Sequence, residues 1–381
     1  MTTISPVIKT LSNLVRIPSV NPNYEGGTGE EMIAEWIHHF FDSHQIQVIQ
    51  QPVLPGRFNV IAKLPGQTPH KRLILEAHVD TVSTKGMEVP PYEPNIRQGH
   101  LHGRGSCDTK GGLSAMMHAM VEIKQSGRTP DAEVWFVATV DEEYSYRGVA
   151  KYCEQYPQGD AAIIAEPTQL RAVIASKGLL RCKIVTQGTA AHSAKPELGQ
   201  NAILTMLPVI KALQEDHDQL QELKHPFLGA ATCNVGTIKG GTQINFVPDQ
   251  CEIEIDRRLL PHETPEEIMR HYQRILDVIM EKDPRVKATL LPPLLTDLPL
   301  ETRPETKAVR IMQDVLQSHG QSPEPMGVPF CSDASKFGAL GIPSIILGPG
   351  CIDQAHASVE YVECSQVEKA VGIYRDFALC F

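Results

Sequence analysis

The sequence predicts an α/β protein built on a mixed, mostly parallel sheet flanked by helices, with an α+β segment inserted into it. Three observations lead there. Short apolar runs of strand length, at residues 60–64, 73–77, 134–140 and 161–165, share the first half of the chain with stretches of helical spacing. Beyond Lys177-Gly178 the runs change to strict alternation. The chain, at 381 residues, is also too long for one typical core and fits two domains.

In order along the chain, Met32, Ile33, Trp36, Ile37, Phe40 and Phe41 recur at helical spacing within residues 29–44. Leu113, Met116, Met117, Met120 and Val121 predict a helix over 111–125, between two of the apolar runs. Continuous apolar strands between helices belong to a sheet covered on both faces. In the inserted segment, residues 181–187 and 251–259 read as alternating strands. Cys251, Ile253, Ile255 and Leu259 share one parity, and Glu252, Glu254, Asp256 and Arg258 the other, which predicts an antiparallel sheet with one wet face. Thr264, Pro265 and Glu267 form a helix start with a capping box, and Ile268, Tyr272, Ile275, Leu276 and Ile279 give that helix its apolar stripe. A second helix is expected over 201–215 despite Pro208. The proline-rich stretch 291–299 reads as a linker. After it come a helix over 306–319, stopped by Gly320, and a buried strand at 343–347. The expected division is therefore 1–177 with 292–381, and 178–291 as the insertion. A hinge is expected near Lys177-Gly178 and 291–293.

Bulk properties narrow the function classes. The net charge of −10 argues against a uniform phosphate-binding surface, and hence against nucleic acid as a partner. No apolar run approaches the roughly 18 residues needed to span a bilayer, and no signal peptide is evident. Nine cysteines, none in a C-x-x-C pair, fit reduced thiols in a cytoplasm better than a disulfide framework.

The chemistry gathers where strands end. The run 73–77 ends in His78-Val79-Asp80, 134–140 in Asp141-Glu142-Glu143, and 161–165 in Glu166. Residues 343–347 lead towards His356. Ligands of open α/β sheets bind beyond the carboxyl ends of strands. Imidazole and carboxylate there are zinc-type donors. A single His, or one acidic pair, is more often a satisfied or solvated residue; the argument is the ensemble. The His-x-Asp spacing puts both side chains on one strand face, so Asp80 is expected to hold the His78 ring. If the chain is extended at 142–143, the two glutamates point to different sides. The glycine-rich segment 102–112 carries Asp108 but lacks phosphate-loop spacing, and no G-x-S-x-G elbow is present. Nothing local marks Cys107 as a nucleophile rather than a packed thiol.

Taken together, these motifs resemble the dinuclear zinc peptidases and deacylases that include acetylornithine deacetylase, succinyl-diaminopimelate desuccinylase, aminoacylase and glutamate carboxypeptidase. The resemblance runs from the segment 15–22 (Val-Arg-Ile-Pro-Ser-Val-Asn-Pro) through 77–82, 103–105, 108–112, 141–143 and 165–168 to Gly348-Pro349-Gly350. It implies that His78 and Glu166 bind one zinc, that Glu143 and His356 bind the other, and that Asp108 bridges them. Cobalt is a possible substitute. It further implies that Glu142 is the general base, that Asp80 orients His78, and that the peptide after Asp108 is cis. The insertion would be a lid and dimerisation domain. In it His192, within residues 188–193, would reach a partner subunit's active site in a homodimer, and Asn245 and Arg258 would hold substrate. For Arg258, a surface salt bridge to Glu252, Glu254 or Asp256 is the competing reading.

The implied reaction is hydrolysis of the amide of an N-acyl amino acid. Residues 347–356 look most like acetylornithine deacetylase and the glutamate carboxypeptidases. Cys331-Ser332-Asp333-Ala334-Ser335 departs from the best-known deacetylase and desuccinylase patterns. A desuccinylase, a carboxypeptidase or dipeptidase, and a non-catalytic binding relative are the alternatives.

Overall fold

The structure is a computed structural model that describes residues 4–381. The chain forms two compact units. The first comprises Met1–Ile174, Thr302–Met326 and Ser332–Phe381, and the second Ala175–Glu301 and Gly327–Cys331.

In the first unit a sheet runs in the order Gln47–Leu54, Arg57–Leu64, Glu133–Thr139, Arg72–His78, Ala161–Ile164, Ser344–Ile346. The central pairings, 72–78 with 133–139 and with 161–164, and 161–164 with 344–346, are all parallel. The first two strands add antiparallel pairings at one edge. From Leu73 to His78 and from Val134 to Thr139 every residue is buried, so both faces of the sheet are covered. The helices Glu31–Ser43, Gly111–Gln125, Arg147–Gln155 and Ala334–Ala339 pack on it. The C-terminal helix Cys364–Cys380 lies against Gly111–Gln125 and buries Val367, Ala370, Tyr374 and Phe377.

In the second unit the strands Thr232–Gly240, Gln250–Leu259, Gly178–Gln187 and Lys287–Leu290 form an antiparallel sheet. The helices Ala202–Leu220 and Pro265–Lys282 share one core with it: Leu180, Ile184, Ile253, Ile255, Met206, Leu213, Tyr272 and Leu276. The opposite parity carries ion pairs, Lys183 to Glu252 at 3.0 Å and Arg181 to Asp256 at 2.9 Å. The Thr264–Glu267 capping box is formed. Asn201 caps the other helix through the N–H groups of Ile203 and Leu204, and that helix continues past Pro208 to Leu220, beyond the expected end.

One sequence expectation is corrected here. The stretch 291–299 is not a free linker, since Leu295–Asp297 pairs antiparallel with Gly178–Gln187. Pro292, Pro293 and Pro299 cannot donate, but Leu291 and Leu294 donate to Lys183 and Arg181, and a sheet edge tolerates proline. Arg257 sits on the apolar parity of its strand and is almost fully buried, paired with Glu263. No helix among the described residues is long and apolar enough to cross a membrane.

Candidate metal centre

The parallel strands of the first unit deliver their polar ends to one edge. His78 closes the strand Arg72–His78 and pairs in register with Thr139. Two residues past Thr139, Asp141 takes a left-handed conformation (φ 70°), which short acidic side chains tolerate. The turn starts the one-turn helix Glu142–Ser145. The two glutamates therefore leave a helical turn, not the extended chain that would set them on opposite sides. Glu166 follows the strand Ala161–Ile164, where Ala165 N–H donates to the Glu76 carbonyl. Asp108 lies in the turn Ser106–Lys110, and its peptide bond to Thr109 is cis. His356, with φ 60°, comes from the loop after Ser344–Ile346.

These residues converge around Asp108. His78 Nε2 is 3.0 Å from Asp108 Oδ1 and 3.9 Å from Glu166 Oε1. His356 Nε2 is 3.3 Å from Asp108 Oδ2 and 3.1 Å from Glu143 Oε2. Asp108 thus turns one oxygen to His78, beside Glu166, and the other to His356, beside Glu143. Donor atoms of His78, Asp108 and Glu143 lie within 4.8 Å of one another.

The electrostatics describe a crowd of like charges. Burial, then the nearby Asp108 charge, pushes Glu143 up to about 7. Burial pushes Glu142 and Glu166 up as well. Bonds to Asp108 and Glu143 raise His356 to about 10. Burial opposes a charge on His78, but Asp108, Glu142 and Glu166 outweigh it and raise its pKa. Asp108 is itself buried, yet His356 and His78 hold it below the usual carboxylate range. With neutral imidazoles, Asp108, Glu142, Glu143 and Glu166 carry four negative charges in a buried space. Such a group needs protons or cations, and two divalent ions would balance it. Carboxylate oxygen and imidazole nitrogen are the donors that zinc and its first-row neighbours take. The donor set fits a two-metal centre.

Asp80 holds His78 differently from the sequence expectation. His78 Nδ1 lies 3.0 Å from the main-chain carbonyl of Asp80 and 3.7 Å from its carboxylate. The strand has already ended at His78, so the strand-face argument does not extend to residue 80. The Asp80 carboxylate instead accepts the N–H groups of Glu142 at 3.0 Å and Glu143 at 3.2 Å.

The remaining candidates belong to the second unit. His192 is exposed, and its Nδ1 accepts the N–H of Ala194 at 3.1 Å. Asn245 is exposed, and its carbonyl accepts the N–H of Ser193, so the two segments run side by side. Arg258 donates to Asp256 at 2.7 Å, the local pairing that competes with a substrate role.

One supporting residue escaped the sequence reading. The buried Glu360 carboxylate accepts the N–H groups of Gly105 (3.0 Å), Cys107 (2.9 Å) and Asp108 (3.1 Å), and pairs with Arg104 at 2.7 Å. It fixes the turn that presents Asp108. A lone glutamate four residues after His356 carries no motif that would have singled it out.

Comparison with known proteins adds to this geometry. Residues 74–379 match peptidase family M20/M25/M40. The chain is 28% identical, over 422 aligned positions covering 100% of it and 98% of the relative, to a probable succinyl-diaminopimelate desuccinylase of Staphylococcus aureus. It is 31% identical to an acetylornithine deacetylase of Myxococcus xanthus, covering 79% of this chain and 78% of that one. The fold is similar to that of an aminopeptidase of Bacillus cereus, with a TM-score of 0.81, 20% identity, and 98% and 97% of the two chains covered. It is also similar to an M20 metallo-carboxypeptidase of Sulfolobus solfataricus, with a TM-score of 0.80, 19% identity and 99% of each chain covered.

Proposed function

Because the chain belongs to peptidase family M20/M25/M40, and so to the metal-dependent hydrolases of amide bonds, we propose that it deacylates an N-acyl amino acid, with N2-acetyl-L-ornithine as the lead substrate. The products would be L-ornithine and acetate. The observation that carries the hydrolase reading is Asp108 set between the pair His78–Glu166 and the pair His356–Glu143. In this reading those five residues hold two zinc ions, with cobalt as a substitute, and Asp108 is the shared ligand.

Metal at such a centre lowers the pKa of water towards about 7 and polarises an amide carbonyl. Glu142 is the general base. It removes a proton from the attacking water and returns it to the leaving nitrogen. Asp80 fixes the main chain of Glu142 and Glu143 through its carboxylate and the His78 ring through its carbonyl. Asn245 and Arg258 bind the substrate, Arg258 because a planar guanidinium matches a carboxylate with two parallel bonds. His192 donates to the oxyanion from the partner subunit of a homodimer. Exposed Leu198, Leu204, Leu207, Ile244 and Phe246 on the second unit support an interface there.

The acetyl group is favoured by the deacetylase relative at 31% identity. The desuccinylase relative, which aligns along the whole chain, favours the second reading, cleavage of N-succinyl-diaminopimelate. Assays of N-acetylornithine, N-succinyl-diaminopimelate and a dipeptide panel, with added zinc or cobalt, decide between them. Fastest turnover of N-acetylornithine is expected. Preference for the succinylated substrate or for dipeptides would overturn the lead.

A further inference from the structure

We propose that Asn21 is a positioning residue whose side-chain amide ties the Asp80 carboxylate to the Asp141 carboxylate, and so fixes the main chain that presents Glu142 and Glu143. The inference rests on Glu142 acting as base and Glu143 as metal ligand.

Asn21 is fully buried. Its Nδ2 donates to Asp80 Oδ2 at 2.7 Å and to Asp141 Oδ1 at 3.0 Å. Its Oδ1 accepts the N–H of Asn23 at 3.1 Å and Nδ2 of Asn23 at 3.0 Å. Two carboxylates on one side and two donors on the other leave a single orientation for the amide. The main chain of Asn21 also donates to the Thr81 carbonyl, so the residue is docked beside Asp80 before its side chain is counted.

Both carboxylates that it joins act on the 141–143 segment. Asp80 accepts the N–H groups of Glu142 and Glu143. Asp141 receives Arg57 at 2.9 Å, Arg147 at 2.6 Å and Ser145 at 2.6 Å, and Arg57 is held in turn by the buried Glu30. Tyr24 donates to the Glu143 carbonyl at 2.6 Å. Asn21, acting through Asp80, and Tyr24, acting directly, thus bear on the N–H and the carbonyl of Glu143. Two anions this close repel each other, and Asn21 sets a neutral double donor between them. Of the small side chains, only asparagine offers two N–H groups from one atom at this length.

The test compares wild type with Asn21→Ser, Asn21→Ala and Asn21→Asp. Zinc affinity is measured by chelator competition. The kcat and KM are measured on the fastest substrate of the panel, per folded, metal-loaded chain. Loss of such an outer partner costs roughly 10–100-fold in metal affinity or activity. Asn21→Ala is expected to lose that much in zinc affinity or kcat with KM little changed. Asn21→Ser, which keeps one donor, should fall between wild type and Ala, and Asn21→Asp below Ala. If Asn21 only filled space, the nearly isosteric Asp variant would be the mildest, which would overturn the proposal. So would an Ala variant that loses thermal stability but keeps zinc affinity and kcat. Should the Asp variant not fold, Ser equal to Ala would overturn the proposal and Ser ahead of Ala would support it. If wild type cleaves none of the substrates, the deacylase reading fails, while the order of zinc affinities still tests Asn21.

Discussion

Glu142 and Glu143 are adjacent in the chain but have different surroundings. Glu143 reaches His356 at 3.1 Å, whereas Glu142 lies among the charges of His78, Glu166 and Asp333. Glu142→Ala is therefore expected to keep two bound metal ions per chain and lose about 10²–10⁴-fold in kcat, the usual worth of a positioned acid or base. His78→Ala or His356→Ala should lower the metal content itself. Metal analysis beside steady-state kinetics checks both, and a Glu142→Ala enzyme of near-normal activity would sink the base assignment. At this scale sequence spacing was a partial guide. Strand ends made His78, Glu143 and Glu166 candidates, because a strand end is legible as the close of an apolar run. Asp108 and His356 lie in loops without periodicity, so only the family pattern pointed to them. For Asp80 the spacing argument expected the carboxylate at the His78 ring, but the main-chain carbonyl lies there, since the chain turns as soon as His78 ends the strand.

Among elements, the turn Ser106–Lys110 depends on a residue far from it in sequence. Glu360 gathers two of its N–H groups, that of Gly105 just before it, and the buried Arg104. Glu360→Gln would leave Arg104 with a neutral partner and set an amide N–H against main-chain donors. Breaking a buried ion pair costs about 3–5 kcal/mol, so urea unfolding of the metal-free variant should show a loss of that order, and chelator competition a weaker zinc site. Unchanged unfolding and affinity would mean that the turn holds itself. Helix packing sets a second measurable property. His118, on Gly111–Gln125, bonds Thr10 of the helix Pro6–Arg16 at 2.8 Å, and burial followed by the nearby His44 lowers its pKa to about 4. The folded state then binds fewer protons than the unfolded chain between about pH 4 and the ordinary histidine value of about 6.5. Stability from this residue is complete above that window and is lost as pH falls through it. His118→Gln should flatten the decline between pH 6.5 and 4 in denaturant titrations; an unchanged slope would refute the assignment. The strands and helices around these sites were largely legible because period and burial coincide. The helices Pro6–Arg16 and Cys364–Cys380 and the edge strand Gln47–Leu54 were not assigned, and in that strand mixed polar residues and Pro52 mask the alternation.

Across the whole chain, the candidate metal ligands and the candidate base belong to one unit, and the other has an apolar core of its own. His78, Asp108, Glu142, Glu143, Glu166 and His356 lie within the first unit. The second has its own core around Tyr272 and Leu276. A ligand that binds only the folded form stabilises it by RT ln(1 + [L]/Kd), about 4 kcal/mol at a thousandfold excess over Kd. Chelation should therefore lower the unfolding temperature of the first unit and leave that of the second nearly in place. Leu276→Ala empties part of the second core, at about 2–5 kcal/mol, and should do the reverse. Differential scanning calorimetry of wild type and Leu276→Ala, each with zinc and with chelator, separates the effects. Two transitions that respond independently are the expected result. One transition moved equally by chelator and by Leu276→Ala would mean that the units unfold together, with the metal centre stabilising both.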